Sequence, residues 1–293
     1  MPSGTAHRAE AVLFDGSRIP FTVAGNGPAV LLPVRVEPFE EAAATTLRAW
    51  GGDPDLGPAL VAALAQGFTV VAADYEGHRM ATPAEGGLVP DALASDLLAI
   101  ADAAGASSFA YYGYSWLAVA GLQLAIRTDR LWALAMGGYP PVDGPYAAML
   151  AVTRAAHEKA LAPTPPPPIE AVEPGDWDAA GVGAGADVTG QFVALYEHLQ
   201  GFDDRAAALS LRIPRLAFAG DADDIAYGEG WGDTVVRIAE PLARTRAELE
   251  AAGWEVEVLP GLDHLGAMHS AAVLPVLAPW LDRHRPDPAT TDG

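Results

Sequence analysis

The segment Phe109-Ala110-Tyr111-Tyr112-Gly113-Tyr114-Ser115-Trp116-Leu117 joins an apolar strand to a helix with almost no loop between them. A serine at such a junction lies on a sharp turn and presents its hydroxyl above the edge of the sheet. Gly113 relieves crowding near the turn, and the N–H of Trp116 lies at the start of the helix, where unpaired donors stabilise an oxyanion. Taken alone, the segment is explained equally well by Ser115 as a helix N-cap.

The rest of the sequence alternates strand-like and helix-like segments. Apolar runs without polar interruption are typical of strands that are buried on both faces of a parallel sheet. This alternation predicts an α/β fold with a mostly parallel central sheet flanked by helices, and with an antiparallel hairpin at one edge. The predicted strands are 11–14, 19–24, 29–34, 68–74, 109–114, 131–136, 215–219 and 254–259, and the predicted helices are 55–66, 90–102, 116–127, 234–252 and 271–283.

Residues 144–210 break this alternation, because they contain no convincing strand. The segment contains two helix-like pieces, a proline run and a glycine-rich stretch (146–160, 191–199, 165–168 and 181–185). We predict a core made of residues 1–143 and 211–293, with residues 144–210 inserted as a helical cap. The alternative is a long, partly disordered surface loop.

The composition excludes several classes of protein. The 293 residues include 17 Lys and Arg against 38 Asp and Glu, and the formal net charge of −21 repels nucleic acid and anionic membrane surfaces. The absence of cysteine excludes disulfides, thiolate nucleophiles and cysteine-based metal sites. The sequence shows no signal peptide, membrane span, P-loop or metal-ligand motif, which predicts a cytoplasmic protein without cofactor or metal that acts on a small molecule. The pattern indicates no particular oligomeric state.

Two later segments supply groups that could activate Ser115. A serine is a weak nucleophile until a base takes its proton and an acid orients that base. The acids of Gly220-Asp221-Ala222-Asp223-Asp224 follow one predicted strand, and His264 follows the last strand in a tight loop. Because catalytic groups in open α/β sheets gather at the carboxyl ends of strands, we expect serine, acid and histidine to meet there. His269 is the second candidate for the base.

These segments, in this order, resemble the α/β-hydrolase family from about Glu10 to Arg285. The matching pieces are Gly25-Asn26-Gly27-Pro28, Asp74-Tyr75-Glu76-Gly77-His78, the turn around Ser115, Gly220-x-x-Asp223 and His264. The resemblance implies a triad in which Ser115 is the nucleophile, His264 the base and Asp223 the orienting acid. Asp223 is preferred over the neighbouring acids because it stands third after Gly220, as in the family's pattern.

The segment after the third strand, Pro33-Val34-Arg35-Val36, departs from the His-Gly pattern of many family members. The resemblance implies that a backbone N–H here completes an oxyanion hole with that of Trp116. Alignment assigns this donor to Arg35, since Pro33 has no N–H. The Arg35 side chain either binds a substrate carboxylate or pairs with an acid of the protein. Leu117 also replaces the last glycine of the family's serine motif, so we expect crowding beneath the serine.

The predicted reaction is hydrolysis of an ester, lactone or thioester of a small apolar substrate through an acyl-enzyme. The substrate-binding candidates are Tyr114, Tyr139, Trp177 and Tyr196. An ordinary core position explains Tyr139 equally well. The same triad would also support carbon–carbon bond hydrolysis, lyase chemistry, or acyl transfer and cyclisation in a biosynthetic pathway. A further alternative is a non-catalytic ligand-binding protein of this fold, which the unusual Pro33-Val34 favours.

Overall fold

The apolar runs form an eight-stranded sheet in the computed structural model, which describes residues 6–162, 177 and 184–286. The strand order is β1-β2-β4-β3-β5-β6-β7-β10, and β8 pairs with β9 in a separate ribbon. Antiparallel pairing is confined to β1 with β2 and β2 with β4, whereas the other neighbours in the sheet are parallel. The strands are β1 (His7–Val12), β2 (Arg18–Gly25), β3 (Ala29–Leu32), β4 (Thr69–Ala72), β5 (Phe109–Tyr114), β6 (Leu131–Gly137), β7 (Arg215–Gly220), β8 (Asp224–Ala226), β9 (Val235–Arg237) and β10 (Trp254–Leu259).

Helices cover both faces of this sheet. Along β5, Tyr111 and Tyr112 point to opposite faces, and both are buried, each in a different hydrophobic cluster. This explains why the strand reads as an unbroken apolar run. The helices are α1 (Glu41–Ala49), α2 (Leu56–Leu64), α3 (Tyr75–Ala81), α4 (Pro90–Ala103), α5 (Trp116–Ala125), α6 (Tyr146–Leu161), α7 (Ala186–His198), α8 (Asp204–Ser210), α9 (Ala239–Ala251), α10 (His264–Met268) and α11 (Ser270–Arg283).

The predicted helix over 234–252 is wrong in its first turn. Residues 235–237 form β9, and the helix α9 begins only at Ala239. The Asp224 carboxylate accepts hydrogen bonds from the N–H groups of Ile238 and Ala239, and so stabilises the start of this helix. Pro241 lies in the first helical turn, where its missing N–H has no helical partner to lose.

The sequence pattern does not predict four of the helices, α1, α3, α8 and α10. The helix α3 begins directly after Asp74, whose carboxylate accepts a hydrogen bond of 2.9 Å from the N–H of Gly77. His78 therefore lies in this helix, and its Nε2 is 2.9 Å from the Ser17 hydroxyl. With seven residues, α3 is too short for its apolar spacing to be recognised in the sequence.

Three helices, α6, α7 and α8, lie in the segment predicted as a cap. The helix α6 packs against α7, and an ion pair of 2.7 Å joins Arg154 to Glu197. The Gln191 side chain connects α7 to the core, since it accepts from the N–H of Ala84 and donates to the carbonyl of Arg79. The proline run 165–168 and residues 181–183 lie outside the described residues. The boundaries at 144 and 210 stay a prediction.

Candidate active site

Ser115 lies on a strained turn between β5 and α5. Its φ of 57° and ψ of −128° place a residue with a side chain in a backbone region that favours glycine. The surrounding structure maintains this conformation: the N–H of Ser115 donates to the carbonyl of Gly137 at 2.8 Å, and its carbonyl accepts from the N–H of Ala118 at 2.9 Å. The hydroxyl is thereby held at the carboxyl end of the parallel strands.

The structure is crowded beneath the serine, as we expected, and two glycines lie at the most crowded positions. A Cβ on Gly113 would lie 2.3 Å from the carbonyl oxygen of Leu117, and a Cβ on Gly121 would lie 2.6 Å from the ring of Tyr111. The hydroxyl of Tyr111 also donates to the Leu117 carbonyl at 2.8 Å. Because Gly113 and Gly121 have no side chains, there is room for the Leu117 carbonyl and the Tyr111 ring beneath the serine.

The structure brings Ser115, His264 and Asp223 into one chain of hydrogen bonds. His264 Nε2 lies 3.1 Å from Ser115 Oγ, and His264 Nδ1 lies 2.9 Å from Asp223 Oδ1. Because a carboxylate only accepts hydrogen bonds, Nδ1–H donates to the fully buried Asp223, and the lone pair of Nε2 faces the serine hydroxyl. This is the arrangement that a general base requires.

His264 is held from two sides. It is the first residue of the short helix α10, and not part of a loop as expected, because the Asp263 carboxylate accepts from the N–H of Gly266 at 2.7 Å and caps the helix. From below, the Tyr114 hydroxyl donates to the His264 carbonyl at 2.8 Å. Burial, together with the nearby Asp223 charge, raises the pKa of Tyr114 well above its usual value, so the hydroxyl keeps the proton that it donates.

The competing acids and the second histidine have other partners. Asp221 accepts from the N–H of Gly261 at 2.7 Å, and Asp224 caps α9. His269 Nε2 lies 2.6 Å from the carbonyl oxygen of Gly51. These contacts hold the backbone around each residue, so His264 is the histidine that forms a hydrogen bond with Ser115, and Asp223 is the acid that forms one with His264.

The two predicted oxyanion donors border the same cavity as Ser115. Trp116 is the first residue of α5, and Arg35 follows β3. Within the described part of the chain, neither N–H donates a backbone hydrogen bond. The carbonyl of Arg35 is packed so closely on α2 that a Cβ on Gly57 would lie 1.7 Å from its oxygen. The role of these N–H groups stays a prediction.

Known structures resemble this chain in fold, although no protein-family model matches the chain and no curated protein matches it in sequence. The chain is similar to a thermophilic esterase from Thermogutta terrifontis with malate bound, with a TM-score of 0.58, 18% identity, and 96% of this chain and 100% of that chain covered. An enol-lactonase from Burkholderia xenovorans LB400 gives a TM-score of 0.59, 20% identity, and coverage of 94% and 100%. A bromoperoxidase from Bacillus anthracis gives a TM-score of 0.57, 19% identity, and coverage of 94% and 100%.

The chain has the α/β-hydrolase fold. At these identities the likeness concerns the fold, so the chemistry of this α/β-hydrolase-fold chain has to be argued from its own side chains. In the described residues, no helix is long and apolar enough to cross a membrane. The same residues contain no cluster of three histidines or acids that could hold a metal ion.

The cavity above Ser115 has a volume of about 540 Å³. Two of the predicted substrate-binding residues, Tyr114 and Trp177, line it, and the ring of Trp177 lies edge-on to that of His264 at 6.2 Å. Tyr139 and Tyr196 do not line this cavity. Both are buried in the hydrophobic core, where Tyr196 belongs to α7 and the ring of Tyr139 lies 5.7 Å from that of Tyr146 in α6.

The Arg35 side chain is paired within the protein. Its guanidinium lies 3.4 Å from the Asp74 carboxylate, donates to the carbonyl of Glu37 at 3.0 Å, and lies over the ring of Phe39 at 4.7 Å. Of the two interpretations left open by the sequence, the structure shows the internal ion pair.

Glu76 is a charged cavity residue to which the sequence analysis gave no role. It is the second residue of α3, and its exposed surface faces the cavity that contains Ser115. Burial among protein atoms raises the pKa of its carboxyl above the usual 4.5, the Trp116 indole lowers it to a smaller extent, and the Asp74 charge raises it further. The only sequence signal was its place inside the Asp74-x-x-Gly77-His78 motif, which does not tell where its side chain points.

Proposed function

We propose that this chain is a serine hydrolase that cleaves an ester, lactone or thioester through an acyl-enzyme. The observation that carries the proposal is the continuous chain of hydrogen bonds from Ser115 through His264 to Asp223 beside a cavity. The similar esterase and enol-lactonase structures support this reaction class. A cavity of about 540 Å³ with aromatic walls suits a small, largely apolar substrate.

In the acylation step, Ser115 Oγ attacks the carbonyl carbon while His264 Nε2 takes the hydroxyl proton. A bond forms between Oγ and the carbonyl carbon, and the carbonyl electron pair moves to its oxygen. The N–H groups of Trp116 and Arg35 receive this oxyanion, and loss of one such donor costs roughly 3 kcal/mol of barrier. Asp223 stabilises the imidazolium that forms.

The intermediate collapses when the carbon–oxygen or carbon–sulfur bond to the leaving group breaks. His264 gives its proton to the departing alkoxide or thiolate, which leaves an ester of Ser115. Water then attacks this ester, His264 takes a proton from the water, and the second collapse releases a carboxylic acid. His264 returns the proton to Ser115 Oγ, so the protein ends in its starting state.

Labelling with a fluorophosphonate, followed by peptide mapping, tests this proposal. We expect one adduct, on Ser115, and no adduct in folded Ser115→Ala. A well-folded wild-type protein that takes no label at Ser115 would defeat the proposal. Product analysis with and without a competing alcohol then separates hydrolysis from acyl transfer.

Ser17 supplies a matched control for this experiment. Its hydroxyl also lies against a histidine, at 2.9 Å from His78 Nε2, but it donates its proton to the Asp15 carboxylate at 2.6 Å. The hydroxyl can therefore only accept from His78 and is not activated as a nucleophile. We expect Ser17→Ala to be labelled on Ser115 at the wild-type rate.

A further inference from the structure

Glu76 differs from the other charged groups around the cavity because, among the described residues, it has neither an ion pair nor a hydrogen bond of normal geometry. Arg35 pairs with Asp74, and Asp74 also caps α3. Asp53 accepts hydrogen bonds from the N–H and the hydroxyl of Ser270 at 2.9 and 2.7 Å. The cavity wall thus has one cation, Arg35, against three carboxylates, and the cation is already paired.

The Trp116 side chain is a second unsatisfied group at the same place. Trp116 lines the cavity and is only 8% exposed, and its indole N–H has no hydrogen-bond partner in the described structure. The ring is held between Tyr75 at 6.1 Å and Phe192 of α7 at 5.2 Å. Trp116 and Glu76 line the same cavity, and the indole lowers the pKa of the Glu76 carboxyl, although no hydrogen bond of normal geometry joins the two groups.

These two groups together suit an ammonium ion. A carboxylate in a cavity wall that has no ion pair can bind a ligand cation through charge-assisted hydrogen bonds. The carboxylate has enough lone pairs to accept from the indole N–H and from an ammonium group at once. Aromatic rings in the same wall, those of Trp116, Trp177 and Tyr114, add attraction for a cation.

We propose that Glu76 forms a cation subsite in this cavity and binds the ammonium group of an amine-bearing ester, lactone or thioester. The inference rests on the proposed function, since it names the substrate class of the same site. The net charge of −21 acts in the same direction, because it draws cations towards the protein and repels carboxylate-bearing substrates.

A pair of phosphonate probes with equal shapes tests the subsite through the rate of labelling. One probe carries a 2-aminoethylthio leaving group, and the other carries the neutral propylthio group. We expect the wild-type protein to react faster with the cationic probe, and Glu76→Gln to reduce this rate ratio roughly tenfold to a hundredfold. Glu76→Asp, which keeps the charge on a shorter side chain, should retain part of the preference.

Glu257→Gln is the matched control, because it removes the same charge from an exposed residue of β10 that does not line the cavity. The control should keep the wild-type rate ratio. The same ratio in wild type and Glu76→Gln, with Ser115 labelled in both, overturns the subsite but leaves the proposed function intact.

If neither probe labels Ser115, the proposed function is wrong, but the cation subsite can still be tested by a binding measurement. Phenethylammonium and neutral phenethyl alcohol are compared by the rise in Tm that each produces. We expect the ammonium ion to stabilise the wild-type protein more than Glu76→Gln, and the alcohol to stabilise both equally. Equal shifts with the ammonium ion would refute the cation subsite.

Discussion

The region after β7 and the region after β4 each bring a carboxylate to the site, but the two carboxylates differ in their partners. Asp223, after β7, is fully buried and accepts a hydrogen bond from His264. Glu76, after β4, faces the cavity and has neither a cation nor a direct hydrogen bond from the described residues. The Asp223 carboxylate is therefore bound to the protein's own histidine, whereas the Glu76 carboxylate can bind a ligand.

The difference in partners matches a difference in role, since Asp223 positions the base and Glu76 is proposed to bind the substrate. A group that orients a base must have one geometry, so the fold surrounds it with fixed partners. A group that binds a substrate must be unpaired before binding, even though this costs stability. The four predictions below test the two regions and the packing around them, from the largest expected effect to the smallest.

Asp223→Asn should have the largest effect. The amide would donate to His264 Nδ1 and leave the wrong tautomer at Nε2, so we expect kcat for ester hydrolysis to fall roughly ten-thousandfold. Asp221→Asn is the matched control, since Asp221 is exposed and its carboxylate accepts a hydrogen bond from the N–H of Gly261. Comparable losses in the two variants would contradict the assignment of Asp223.

Asp96→Asn tests a third carboxylate, which is paired but remote from the chemistry. Asp96 is fully buried and accepts from Arg79 and from the Tyr75 hydroxyl, each at 2.6 Å. Removing its charge leaves the buried Arg79 partly uncompensated, so the free energy of unfolding in urea should fall by about 3 kcal/mol. Asp91→Asn, on the same helix, removes an exposed partner of Arg127 and should cost less than about 1 kcal/mol. Equal losses would show that burial of the pair does not matter.

Gly113→Ala tests the tight packing that holds Ser115. The added Cβ would lie 2.3 Å from a backbone carbonyl that cannot move aside freely, so we expect the free energy of unfolding to fall by about 1–3 kcal/mol. Gly185→Ala provides the comparison, because none of the described residues beyond its two chain neighbours has an atom within 4 Å of the added Cβ, and the φ of Gly185 is −69°. Denaturant unfolding of both variants measures the difference, and an equally stable Gly113→Ala would contradict the packing argument.

The smallest effect concerns the stability of Glu76→Gln as a function of pH. Because burial raises the pKa of Glu76 above 4.5 in the folded protein, the folded state holds this proton more tightly than the unfolded chain does. The contribution of this proton to the free energy of unfolding is fully present below pH 4.5, and it is lost as the pH rises through the pKa of Glu76 in the folded protein. Glu76→Gln should therefore raise Tm only slightly at pH 8, because solvent screens this exposed carboxyl, and leave it unchanged at pH 4. A shift that is equal at both pH values would contradict the unpaired state of Glu76.

Much of the sheet could be predicted because its strands are buried on both faces. The strands that end at Tyr114 and Gly220 are buried along their whole length, and the edge strand that ends at Leu259 alternates apolar residues with two glutamates. Each of the three strands is followed by a candidate for the chemistry. Elements whose formation depends on distant partners were missed. The strand β9 exists through its pairing with β8, and α3 depends on the Asp74 cap, so neither produces a periodic pattern of its own.

The sequence by itself determined the alternation of strands and helices, and the order in which Ser115, Asp223 and His264 occur along the chain. Apolar runs and turn residues express these features locally, within a few residues. Only the tertiary structure decided that Asp223 and not Asp221 meets His264, that Arg35 is already paired, and that Glu76 faces the cavity. These outcomes depend on distances between side chains far apart in the chain, which packing sets and no local pattern records.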